Sequence, residues 1–192
     1  MNRCTPFKAL HLAASQWLFW LTQALPSRLG RPGSLPHRDG GAGGNCGPNL
    51  SAPDRGAVSI MDEALRRGAS RVELARVAVA VARAVLPLVH KLKIETTAVV
   101  VTAEVWTATP TVENAAAVAR ANCELNARRE GDLVSPEIAT SEDWARTAVD
   151  AAAMACCAPY GAEMLALLAV ECACEAAGGD ADLAPLVTAA LL

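Results

Sequence analysis

Cysteine, histidine and carboxylate side chains are the groups in this sequence that could hold a metal, move a proton or attack a substrate. The chain carries seven Cys and three His in 192 residues. No C-x-x-C pair occurs among them. Cys156 and Cys157 are neighbours, about 100° apart on a helix, while Cys172 and Cys174 are about 200° apart. In an antiparallel helix pair turning at Pro159, Cys172 lies roughly fifteen residues beyond Cys157, on the order of 20 Å away. A zinc ion with bonds of about 2.3 Å does not bridge that gap. The odd cysteine count also leaves no closed set of disulfides. The thiols therefore read as small buried hydrophobes in a reducing cytoplasm.

The remaining chemistry is sparse. His11 and His37 fall in the N-terminal quarter, and His90 follows Pro87 in a basic patch with Lys91 and Lys93, where a surface position is expected. No serine occupies a G-x-S-x-G elbow. The run from Gly40 to Gly44 neither follows a strand nor opens a helix, so it fails as a phosphate loop. Glu171 and Glu175 share a helix face, and read as solvated charge rather than an acid/base pair. No catalytic, cofactor-binding or metal-binding residue is expected, and the chain reads as non-enzymatic.

Charge divides the chain. Residues 1–57 contain Arg3, Lys8, Arg28, Arg31, Arg38 and Arg55 against only Asp39 and Asp54. The rest is acidic, and from Thr147 to Leu192 there are six carboxylates and no Lys or Arg. A net charge of −3 disfavours a nucleic-acid partner. Hydrophobic residues make up 53% of the chain, which excludes disorder throughout.

Eight of the thirteen Gly and five of the eleven Pro lie between Pro26 and Gly56, so residues 26–57 read as a flexible linker. Ahead of it, residues 1–25 read as one helical unit, uncharged between Lys8 and Arg28. Four readings stay open for it. A secretory signal fits the basic start but lacks a clean cleavage site. A membrane span is opposed by His11, Ser15, Gln16, Thr22 and Gln23. An interfacial helix would make weak membrane-surface contact through Trp17 and Trp20. An accessory helix or a start-site extension without a role is the fourth.

Residues 58–192 read as an Ala-rich helical domain, and the expected fold is all-α: an antiparallel helical bundle or stacked helix pairs. Ser59 is placed to cap a helix running through Arg67 and stopped by Gly68. Ser70-Arg-Val-Glu73 is a capping box, followed by Leu74, Ala78, Val81, Val85 and Leu88 on one face until Pro87 ends the helix. Residues 94–107 have strand-favouring Val99-Val100-Val101. Their Ile94, Ala98, Val101 and Val105 nevertheless follow helical spacing, and no second strand exists to pair with them. They are expected to form a buried helix. Thr109-Pro110-Thr111 opens another helix with Pro110 in its first turn, running to about Arg129. Ser135 and Ser141 mark two more starts, the second followed by a stripe of Trp144, Ala148, Ala152 and Ala155. A helix after Pro159 ends at Gly178-Gly179, and a short one begins near Asp182.

The Ala-rich run from Val77 to Val89 contains the helix end Ala84-Val-Leu86-Pro87. Glu104-Val-Trp106 and then Pro110-Thr-Val-Glu113-Asn114 follow in order. Over residues 70–180, and nowhere in 1–57, this pattern resembles the alanine-rich, all-helical immunity proteins of bacteria. The resemblance implies a non-enzymatic member of a toxin–antitoxin pair that binds and neutralises a cognate toxin by protein–protein contact. It supplies no catalytic residues.

Two classes of function follow. In the first, the acidic body occludes a basic toxin, with Asp150, Glu163, Glu171, Glu175, Asp180 and Asp182 as the candidate partner-binding residues. In the second, the chain is a membrane-associated helical adaptor, or an orphan helical domain. No cofactor is expected in either.

Overall fold

A computed structural model describes residues 56–128 and 139–192, and every regular element in them is helical. Seven α-helices run in order: α1 (Ala57–Arg66), α2 (Arg71–Val85), α3 (Lys93–Ala108), α4 (Val112–Arg128), α5 (Ser141–Cys157), α6 (Ala162–Ala177) and α7 (Ala184–Ala190). Single 3₁₀ turns, Leu86–Leu88 and Ala181–Leu183, follow α2 and precede α7. The fold is an all-α bundle. The segment read as residues 1–25, most of the linker, and the start at Ser135 lie outside the described residues.

Alanine decides the packing. Helices α2, α5 and α6 pack mutually at the centre, with Ala148, Ala151, Ala152 and Ala155 of α5 and Ala166, Ala169 and Ala173 of α6 all buried. Methyl side chains let helix axes approach closely, and Val77, Val81, Val149 and Val170 fill the remaining space. Helices α1 and α7 close one edge against α6 and α2, and α3 with α4 packs on α5 from the other. Leu74, Ala78, Val81 and Val85 face inward as the period predicts, while Leu88, beyond Pro87, is only half-buried.

The caps explain most helix starts. Ser70 Oγ accepts from Glu73 N at 3.3 Å and Glu73 Oε2 accepts from Ser70 N at 2.6 Å, completing the expected box. At α5 the cap is Thr140 rather than Ser141. Its hydroxyl accepts from Asp143 N at 3.3 Å, and Asp143 Oδ2 accepts from Thr140 N at 3.0 Å. Thr111 serves α4, its hydroxyl accepting from Asn114 N at 3.2 Å, so Pro110 lies outside the first turn. Helix α6 stops at Gly178, whose φ of +76° is open to glycine without a Cβ clash.

Helix α1 differs from expectation. It begins at Ala57, before Ser59, and the N-cap position is Gly56. Ala57, one residue ahead of position 58, is fully buried within this helix. Helix α3 differs more. The segment is helical, as expected, but Thr96, Val99, Val100, Ala103 and Trp106 form its buried face. Ile94, Ala98, Val101 and Val105 are exposed. Both faces of this helix are apolar enough to satisfy a periodicity argument, and packing against α5 and α4 selected the face carrying Trp106.

Candidate functional site

The six candidate carboxylates do not form one surface. Asp150 is on α5 and only 5% exposed, which removes it from any docking face. Its position is a consequence of the crowded α5, where every residue from Ala148 to Ala153 is buried. Asp180 is committed within the fold: Oδ1 accepts from Val58 N at 3.0 Å and from Cys174 Sγ at 3.4 Å. Its backbone carbonyl accepts from Ala57 N at 3.3 Å. Asp180 thereby takes the place of an N-cap side chain for α1, which Gly56 cannot supply. Asp182 is exposed in the 3₁₀ turn before α7.

Helix α6 carries the remaining three. Glu163 and Glu175 are exposed and Glu171 is half-buried, with Glu171 and Glu175 one turn apart on the same side. Their helix also presents Met164, 54% exposed, beside Glu163. Tyr160, the chain's one tyrosine, stands 89% exposed in the turn that leads into α6. The sequence reading passed over both. Tyr160 lies between Pro159 and Gly161, and an aromatic side chain set between two turn residues is the signal that marked it. Tyr160, Glu163 and Met164 thus lie together at the start of α6, with Glu171 and Glu175 further along it, and aromatic and methionine side chains are enriched at interfaces.

One internal cluster holds three helices in register. Arg71, the first residue of α2, donates from Nη2 to Cys156 O at 2.7 Å and from Nε to Ala155 O at 3.3 Å. These are last-turn carbonyls of α5, otherwise without an intrahelical donor. The guanidinium lies 5.5 Å from the Trp106 ring centroid, a cation–π distance. Trp106 itself is 5% exposed. At the other end of α5, Glu142 Oε1 accepts from Lys91 N at 2.8 Å and from His90 N at 3.3 Å, pinning the turn into α3. Leu92 in that turn has φ 55°, the left-handed region.

Cys156, Cys157, Cys172 and Cys174 carry free thiols. Burial pushes Cys156 up to about 12, with Cys157 adding to the shift and Arg71 opposing it. Burial likewise raises Cys157 to about 11 and Cys174 to about 12, and moves Cys172 upward. Such thiols are protonated at neutral pH and are poor nucleophiles and poor metal ligands. Among the described residues, no three His, Cys, Asp or Glu side chains gather as a metal set. No described helix is long and apolar enough to cross a membrane. A shallow depression of about 550 Å³ beside α1 is lined by Val58, Ser59, Asp62, Leu65, Arg66 and Asp180.

No family model, curated protein or solved structure matches the chain.

Proposed function

We propose that this chain is a non-enzymatic, immunity-like protein that neutralises a basic bacterial toxin by docking it on the outer side of α6. The observation that carries the reading is the grouping of Glu163, Glu171 and Glu175 on one helix with exposed Met164 and Tyr160. The carboxylates attract a cationic partner from a distance, and the tyrosine and methionine supply desolvated anchors on contact. The resemblance over residues 70–180 points the same way. The free thiols of Cys156, Cys157, Cys172 and Cys174 support a reducing, cytoplasmic setting for the encounter.

The test takes the product of the adjacent reading frame as partner and measures association by stopped flow. The Glu171→Lys/Glu175→Lys double variant should slow association by roughly tenfold or more at low salt and much less at high salt. Tyr160→Ala should leave the association rate near parental and speed dissociation, weakening binding by about 2 kcal/mol. Parental rates in both variants would remove α6 as the docking side. Vesicle binding by the full chain, without capture of that product, would favour the adaptor reading.

A further inference from the structure

The solvent side of α3 has the character of an interface. Ile94, Ala98, Val101, Val105 and Ala108 are all exposed, Ile94 to 83% and Val105 to 51%. Their spacing alternates four and three residues, the repeat of a coiled-coil seam. Polar groups beside this seam are already occupied. Glu95 pairs with Arg128 of α4, and Glu104 Oε2 pairs with Arg83 Nη2 of α2 at 2.6 Å. The Thr97 and Thr102 hydroxyls donate to Lys93 O and Ala98 O of their own helix, each at 2.6 Å. An apolar stripe between neutralised ion pairs is a contact surface rather than a solvated face.

We propose that two copies of this chain pair through α3, antiparallel about a two-fold axis passing by Val101. The residue order selects that occupant and that direction. In the antiparallel register Val101 meets the partner's Val101, Ile94 meets the partner's Ala108, and Ala98 meets the partner's Val105. On either side of the central Val101 pair a large side chain then faces a small one, which fills the seam. A parallel pair would set Ala98 on Ala98 and Ala108 on Ala108, leaving gaps, and Lys93 beside Lys93. Charge agrees with the antiparallel choice. Exposed Lys91 and Lys93 at the start of α3 come to the partner's α3 C-terminus and the exposed Glu113 just beyond it. A single helix seam is small, so the dimer is at the weak end of specific association. This pairing is independent of the docking side assigned to α6.

Sedimentation velocity of the full chain over a roughly hundredfold concentration range reads the equilibrium directly. The parent should pass from monomer to dimer. Val101→Glu and Val101→Lys should each raise the dissociation constant by roughly a hundredfold, because like charges would meet on the axis of an apolar seam. An equimolar mixture of the two should recover dimer, since only opposite charges then face each other. Val101 is 44% exposed, so the melting temperatures of both variants should stay near parental. A parent that remains monomeric throughout overturns the pairing, as does a dimer that Val101→Glu leaves intact. A mixture that stays monomeric while each variant is monomeric overturns the two-fold geometry.

Discussion

Asp180 Oδ1 stands 3.0 Å from the Val58 backbone nitrogen, across 122 residues of sequence, and makes the turn after α6 the cap of α1. Helix α1 has no capping side chain of its own, because Gly56 occupies the N-cap position. Glycine is required there by space rather than by backbone angle. A Cβ on Gly56 would lie 1.8 Å from Asp180 Oδ2, and φ at this residue is an ordinary −64°.

Asp180→Ala should therefore destabilise the fold by about 1 kcal/mol, the usual cost of a lost N-cap. Gly56→Ala should cost a similar or larger amount by driving the carboxylate off Val58. The double variant should cost clearly less than the two singles combined, since both remove one interaction. Urea denaturation of the four proteins measures this, and strict additivity would refute the coupling.

Truncation should show the same dependence. A chain beginning at residue 54 keeps Gly56, buried Ala57 and the Val58 N–H. One beginning at Ser59 loses all of them and leaves Asp180 without the two backbone N–H donors of α1. The shorter chain should melt less cooperatively and be less stable by roughly 1–2 kcal/mol. Equal melts, followed by circular dichroism, would show that α1 contributes nothing to the body.

Trp106 and Arg71 should behave as a pair. Trp106→Ala empties a large buried volume and should cost about 3–5 kcal/mol. Arg71→Met keeps much of the stem but removes the donors to Ala155 O and Cys156 O, an expected loss of about 1.5–3 kcal/mol. Fluorescence checks the placement in a chain whose other tryptophans are replaced. Trp106 emission should resist a water-soluble quencher in the parent and become more accessible after Arg71→Met. Ready quenching in the parent would contradict its burial.

The α5 cap predicts a response to acid. Burial acts to raise the Asp143 carboxyl. Hydrogen bonds from the Thr140 hydroxyl and N–H, and from Arg146 Nη2 at 2.7 Å, outweigh that and hold it below its usual value of 3.8. A carboxylate depressed in the folded state adds stability above its unfolded pKa, and the gain disappears as pH falls through the folded value. Parent melting temperatures should fall between about pH 5 and about pH 2 more steeply than those of Asp143→Asn, which has no such proton to bind. Parallel curves would show that the cap does not titrate with folding.

Local chemistry was written in the sequence, and so were most element boundaries. Ser70 and Glu73 make a capping box from four consecutive residues, Pro87 ends α2, and Gly178-Gly179 ends α6, because each effect acts within one helical turn. The all-α character was legible too, because residues 94–107 have no second strand to pair with. Which side of α3 faces inward was not legible. Ile94, Ala98, Val101 and Val105 are as apolar as Val99, Val100, Ala103 and Trp106, so only the shape of α4 and α5 beneath decided between them. The acidic candidates divide along the same line. Composition grouped six carboxylates by their shared segment, and the tertiary structure buried Asp150 in α5, joined Asp180 to α1, and left Glu163, Glu171 and Glu175 on α6. Charge along a chain is a local property, whereas burial and long-range capping depend on which helices meet, and that is set by packing of the whole bundle.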